Sequence, residues 1–340
     1  MTIFFGIGVT GRFGNQIIEY IICKHLSELH HVPIYHARWL GTEFYEGQSS
    51  DPILDSVDIE RIYTDTSTYK AMELFRLHHL NMKEEAFPKR KIFLDLGDDN
   101  RFFSKETDIR DKVIFHQPRV HLSYLNQSKT YLKSLFHYKA PYETIINNLV
   151  VKIKNKKSLT VLHVRKGDFD FMLNPYCVFV DRFYIQWLKE NFNTDTMALY
   201  VCGQISETIK KSLKPYLPIY LEDILDRNQE LKNLHTHVDI LIDHGIMRKA
   251  DIVLASNSTF SLTACLFSEI KEARFFRQNF DSKSLKPLDP WNASSFELLP
   301  FGFKWIYLYF RYYPLFGFKF IYYVLSRVLS GKKLIDISYS

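Results

Sequence analysis

The chain has 340 residues, of which 46% are hydrophobic and 24% charged, and a formal net charge of +6. That length and core-forming fraction exclude a disordered chain and predict two α/β units of about 150 residues each. The charge argues against a nucleic-acid partner. After position 300 the chain carries Lys304, Arg311, Lys319, Arg327, Lys332 and Lys333 against Asp336 alone, so the excess forms a basic end, not a stripe on a folded face.

Strand-length apolar runs alternate with helical patterns along most of the chain. IFFGIGV (3–9) reads as a buried strand, and Ile17, Ile18, Ile21, Ile22, Leu26 and Leu29 then mark one helical face. VPIYH (32–36), KIFLDLG (91–97) and KVIFH (112–116) read as strands, and 123–136 and 142–154 as helices. After the lysine-rich 152–158, strands are expected at 159–165, 197–203, 218–221, 251–256 and 273–277. The intervening helices are expected near 181–191, 206–214, 238–249 and from about 260. Repeated alternation of this kind predicts parallel sheets in Rossmann-type units. Cys23, Cys177, Cys202 and Cys265 lack CxxC or metal-type spacing and read as reduced core thiols. The N-terminus lacks a basic leader and no run of about 18 apolar residues occurs, so a cytoplasmic protein without a spanning helix is expected.

Three places carry polar chemistry at strand ends. In GIGVTGRFGNQ, Gly6, Gly8 and Gly11 fit GxGxxG between a strand and a helix, a loop whose backbone N–H groups can approach a phosphate. The acidic ribose partner of a dinucleotide fold is not found after the next strand, where HARW stands. In VLHVRKGDFD a buried strand ends in His163, Arg165, Lys166, Asp168 and Asp170. Arginine and lysine together suit a diphosphate. The DFD element looks like a metal-binding DxD, but Mg²⁺ held between carboxylates and phosphates would not need cations packed beside it. The third place is SNSTFS (256–261), four hydroxyls and an amide at a strand-to-helix turn, suited to an anion or a ribose and equally to a simple helix cap.

GRFGNQ, HVRKGD and SNSTFS, in this order and spacing, resemble the fucosyltransferase superfamily over about residues 6–267. GRFGNQ is similar to the opening loop of protein O-fucosyltransferases. HVRKGD is similar to the HxRRxD segment of the α-1,2 and α-1,6 enzymes, with Lys166 at its second basic position, and SNSTFS is most like the α-1,2 enzymes. The resemblance implies a GT-B fold, with an acceptor lobe over 1–151 and a nucleotide-sugar lobe over 159–298. It also implies transfer of fucose from GDP-fucose to a glycan hydroxyl with inversion, without a metal or any cofactor beyond the donor substrate. An α-1,2 linkage in surface polysaccharide synthesis follows from the third motif. Position by position, it implies that Arg165 binds the β-phosphate and stabilises the departing diphosphate, while His163 contacts guanine. Asp243, with Asp239 as the alternative, would accept guanine N–H groups. Asn257, Ser258, Thr259 and Phe260 would line the donor pocket, and Gly11, Arg12, Gly14 and Asn15 would face it from the first half. Asp168 is the candidate base, with Asp170 beside it.

Two other readings of the residues stand beside this one: an NAD-dependent oxidoreductase using GIGVTG, and a catalytically inactive sugar-binding module. Residues 301–323 complete the chain's signals. Thirteen of these twenty-three positions are Phe, Trp or Tyr, with Lys304, Arg311 and Lys319 among them and a break at Pro314. With the basic end, 299–340 is expected to form a tail that contacts a membrane surface through 301–333.

Overall fold

In the computed structural model, the described residues are 2–5, 7, 13–36, 39–48, 93–95, 108–110, 113–115, 120–165, 180–225, 237–279 and 281–295. The first apolar run forms β1 (Thr2–Phe5) and feeds α1 (Phe13–His30). The six expected apolar positions of α1 are all buried, but so are Gln16, Glu19 and Tyr20, because the helix is enclosed on nearly every side. It stops where His31 takes the left-handed conformation, at φ 53°, two residues before Pro33. β2 (Ile34–His36), α2 (Leu40–Phe44), β3 (Phe93–Asp95) and β4 (Val113–Phe115) follow. The four strands make one parallel sheet in the order β2-β1-β4-β3.

The expected helix over 123–136 is instead a 3₁₀ segment, Leu122–Ser128, running into α3 (Lys129–Ser134). The reason lies in its core contacts: Leu122, Leu125 and Ser128 are buried at a spacing of three, the eclipsed face of a 3₁₀ helix. α4 (Ala140–Lys154) carries Pro141 in its first turn and ends on Asn155 at φ 38°.

The second sheet has the order β6-β5-β7-β8-β9. It comprises β5 (Ser158–Val164), β6 (Met197–Gly203), β7 (Ile252–Ala255), β8 (Arg274–Asn279) and β9 (Ser284–Pro287). Between them run α5 (Asp181–Asn191), α6 (Glu207–Leu213), α7 (Leu221–Ile224), α8 (Val238–Arg248) and α9 (Thr259–Leu266). The first four strands are parallel, as crossover helices require, but β9 returns antiparallel to β8. This strand departs from the expected purely parallel sheet. Its SLKP sequence has one buried residue, Leu285, and so carries no apolar run. The expected strand at 218–221 is reduced to a single bridge between Ile219 and Tyr200, because Leu217 is left-handed at φ 50° and α7 begins at Leu221.

Period-2 alternation divides the second sheet cleanly. Leu162, Val164, Leu199, Val201, Ile252 and Leu254 face α5 and α6. Leu159, Val161, Tyr200, Cys202, Val253 and Ala255 face the other way, into a cluster shared with α4, α8, α9, α1 and Phe4 of β1. Cys23, Cys202 and Cys265 are buried free thiols within that cluster. Among the described residues no helix is long and apolar enough to cross a membrane.

Candidate functional site

The site lies at the carboxyl ends of β5, β6 and β7, where polar residues replace the apolar runs. His163, one residue from the end of β5, is 3% exposed, and its Nδ1 lies 2.7 Å from the Ser256 hydroxyl that follows β7. Phe260 in the first turn of α9 packs on this histidine with ring centroids 5.2 Å apart, and on His244 of α8 at 5.3 Å. His244 is itself held between the Tyr138 hydroxyl (3.0 Å) and the Thr263 hydroxyl (3.1 Å). Burial drives both imidazoles to the neutral form. It lowers His163 to about 3, with the Arg165 charge adding to the effect, and holds His244 well below the usual histidine range.

Two helices begin at this point. Ser258 caps α9 in extended backbone, and its hydroxyl accepts the Phe260 N–H. Ser261 fastens the turn by donating to the Ser256 and Ser258 carbonyls. The start of α1 lies directly against it. A Cβ on Gly14 would lie 2.4 Å from the Phe260 backbone nitrogen, so only glycine allows the two helices to approach this closely. Thr259 then donates its hydroxyl to Asn15 Oδ1 at 2.6 Å. The amino-terminal ends of α1 and α9, each the positive end of a helix dipole, thus converge beside the strand that ends in Arg165. Such an arrangement attracts an anion and can stabilise negative charge that develops on a leaving group.

The structure brings Gly14, Asn15, His163, Arg165, Asn257, Ser258, Thr259 and Phe260 to this one place. It divides them by exposure: His163, Asn257, Ser258 and Thr259 are buried, while Asn15, Arg165 and Phe260 keep part of their surface. Asp243 directly precedes His244 on α8, is partly exposed, and accepts a hydrogen bond from Tyr200 Oη at 2.5 Å. Burial raises its carboxyl to about 7. The Tyr200 hydrogen bond opposes the rise, and the charges of Asp239 and Glu222 add to it. Gly11, Arg12 and Asp168 lie outside the described residues, as do Gly6, Gly8, Lys166, Asp170 and the tail over 301–333. Among the described residues no group of three or more His, Cys, Asp or Glu is placed to hold a metal ion.

Sequence reasoning missed Tyr200 and His244. Tyr200 stands inside an apolar strand and reads as an ordinary core aromatic, and its partner is 43 positions away. His244 follows Asp243 directly in a helix whose pattern marks it as core, which it also is.

No protein-family model matches the chain, and no curated protein matches its sequence. Solved structures do match. The chain is similar to the fucosyltransferase NodZ from Bradyrhizobium, with a TM-score of 0.50 and 12% identity over 85% of this chain and 99% of that one. The NodZ α-1,6-fucosyltransferase soaked with GDP-fucose matches at a TM-score of 0.50 and 11% identity, over 85% of this chain and 99% of that one. FUT1 of Arabidopsis thaliana, a variant in complex with GDP, matches at a TM-score of 0.52 and 13% identity, over 84% of this chain and 73% of that one. The chain has the fold of these fucosyltransferases. At such identities the likeness is one of architecture, the mixed α/β fold built on a mostly parallel five-stranded sheet.

Proposed function

We propose that the chain is a fucosyltransferase that moves fucose from GDP-fucose to a glycan hydroxyl with inversion at the sugar. The observation that carries the reading is the convergence of two helix starts, packed through Gly14 and joined by Thr259 and Asn15, beside Arg165 at the end of β5. Inverting transfer needs an acceptor hydroxyl in line with a departing diphosphate. Without a metal, the charge on that diphosphate has to be met by fixed groups, and an arginine with helix N-termini supplies them. The three sequence motifs and the shared fold support GDP-fucose as the donor. SNSTFS, the motif most like the α-1,2 enzymes, supports an α-1,2 linkage in surface polysaccharide synthesis. The aromatic and basic residues of 301–333 support action at the cytoplasmic face of a membrane.

A donor screen of the purified full-length chain tests the reading. GDP release is expected from GDP-fucose in the presence of a glycan acceptor, in excess EDTA, and not from UDP-sugars. Sensitivity of the product to an α-1,2-fucosidase checks the linkage. Binding of NAD in preference to GDP would replace this reading with an oxidoreductase. Tight glycan binding with no turnover of any nucleotide sugar would leave a binding module.

A further inference from the structure

At the end of β6 the backbone turns sharply. Gly203 sits at φ +97°, and a Cβ there would lie 2.1 Å from the Val164 carbonyl oxygen, so no other residue fits. The turn delivers Gln204 to the flank of Arg165: its backbone N–H donates to that same Val164 oxygen at 2.9 Å, continuing the pairing that sets Gly203 beside Val164. The side-chain Oε1 of Gln204 is buried and has no hydrogen-bond partner among the described residues. A buried acceptor left unpaired costs more than a typical hydrogen bond returns; other buried side-chain atoms of the described residues, Trp39 Nε1 and Thr160 Oγ1 among them, share this state. This one stands at the carboxyl end of a parallel strand, where open α/β sheets bind their ligands.

We propose that Gln204 reads the sugar of the nucleotide, its Oε1 accepting a hydrogen bond from a ribose hydroxyl of the bound nucleoside diphosphate. The proposal rests on the fucosyl-transfer reading above. An unsatisfied acceptor selects a donor, and at neutral pH a diphosphate offers oxygen acceptors only, so phosphate cannot be its partner. The ribose can. It carries O–H donors and is bonded directly to the phosphates that Arg165 faces, which puts those hydroxyls within reach of the neighbouring strand end. Gln204 is then a specificity-determining residue of the donor site, one that distinguishes ribonucleotide from deoxyribonucleotide.

Calorimetric titration of the full chain with GDP, 2′-deoxy-GDP, 3′-deoxy-GDP and GDP-fucose tests this. The unaltered protein is expected to bind one of the deoxy analogues about ten-fold more weakly than GDP, the size of one hydrogen bond to a buried group. Gln204→Leu, near in volume but unable to hydrogen-bond, is expected to lose about ten-fold toward GDP and nothing toward that analogue, a non-additivity that a general disturbance of the fold does not produce. Equal affinity of the unaltered protein for GDP and both analogues overturns the proposal without need of any variant. So does a Gln204→Leu protein that binds all ligands like the parent, or one weakened toward GDP-fucose alone, which would turn the acceptor toward the transferred sugar. A parent protein that binds no GDP at all is a different result: it removes the fucosyl-transfer reading itself, and this inference falls with it.

Discussion

The Thr259 hydroxyl donates to Asn15 Oδ1 at 2.6 Å, joining the first turns of two helices that are 244 positions apart in sequence. Neither residue reaches the other except through the fold, so the pair reports directly on the seating of α1 against α9. Thr259→Val and Asn15→Ala are each expected to cost about 1 kcal/mol in urea unfolding, and the double variant less than the sum by about 0.5–1.5 kcal/mol. Strict additivity would show that the bond contributes nothing.

Gly14 sets the distance that this bond spans. In Gly14→Ala the new Cβ meets backbone at 2.4 to 2.6 Å, the Phe260 nitrogen and Cα and the Thr259 carbonyl carbon, and no side-chain rotation relieves that. We expect a loss of about 1–3 kcal/mol in denaturant unfolding, typical of overpacking, together with weaker GDP binding because α1 and α9 are pushed apart. A variant as stable as the parent that binds GDP normally would contradict the role given to this contact.

Arg165 carries the leaving-group chemistry in the proposed reaction. Arg165→Ala should lower turnover by about two to four powers of ten, the range for loss of one preorganised contact to developing charge. Arg165→Lys should recover only part of it, since a point charge replaces a planar fork. Turnover near the parent's in folded Arg165→Ala protein removes the arginine from the mechanism.

Asp243 gives the site a pH dependence of definite sign. If the ionised carboxylate accepts guanine N–H groups, GDP affinity rises with pH through about 7, where burial has placed its titration. The Tyr200 hydrogen bond favours the ionised form, so Tyr200→Phe is expected to move that midpoint upward. Stability runs the other way. The folded carboxyl keeps its proton to about 7 while an unfolded aspartate releases it near the ordinary value of about 4, so this group's contribution falls as pH rises between the two. Asp243→Asn should flatten that slope in melting curves taken from pH 4 to 8. A pH-independent GDP affinity in the parent sinks the assignment.

The aromatic and basic residues after position 300 make a separate claim, that the chain's end meets a membrane surface. Full-length protein is expected to sediment with anionic vesicles at low salt and to be released as salt screens the lysines and arginines. A chain ending at Pro300 should lose that sedimentation and still transfer fucose to a soluble acceptor. Aggregation of the truncated chain, or indifference of the full one to vesicles, would make the segment structural.

Much of this fold is legible in the sequence because its strands are short apolar runs ended by charge or glycine. β5, β6 and β7 fall within a residue of their expected bounds, and α8 stops one residue short of its expected end. β9 is not legible, since an edge strand with Lys286 and Pro287 exposed turns a single residue, Leu285, inward and so carries no apolar run to announce it. The described part of the site is marked in the sequence by strand ends: β5 and β7 lie side by side in one parallel sheet, while Gly14 and Asn15 reach them from the other sheet's side through α1 and α9. What sequence cannot give is which polar groups satisfy one another. The four hydroxyls and the amide of SNSTFS look like ligand contacts, yet Ser256, Ser258, Thr259 and Ser261 already bond within the protein. Tyr200, which reads as core, bonds Asp243, whose carboxyl burial has raised to about 7.

The cluster that contains Phe4 and α1 also contains Val161, Val253 and Trp291, so one continuous packed interior runs under both sheets. Through its close approach to α9, an early helix of the chain is part of the interior that lies against the second sheet. For protein engineering this has a plain meaning. Separating the halves would expose the apolar surface that α1 and α9 share, so a chain cut between α4 and β5 is expected to lose solubility.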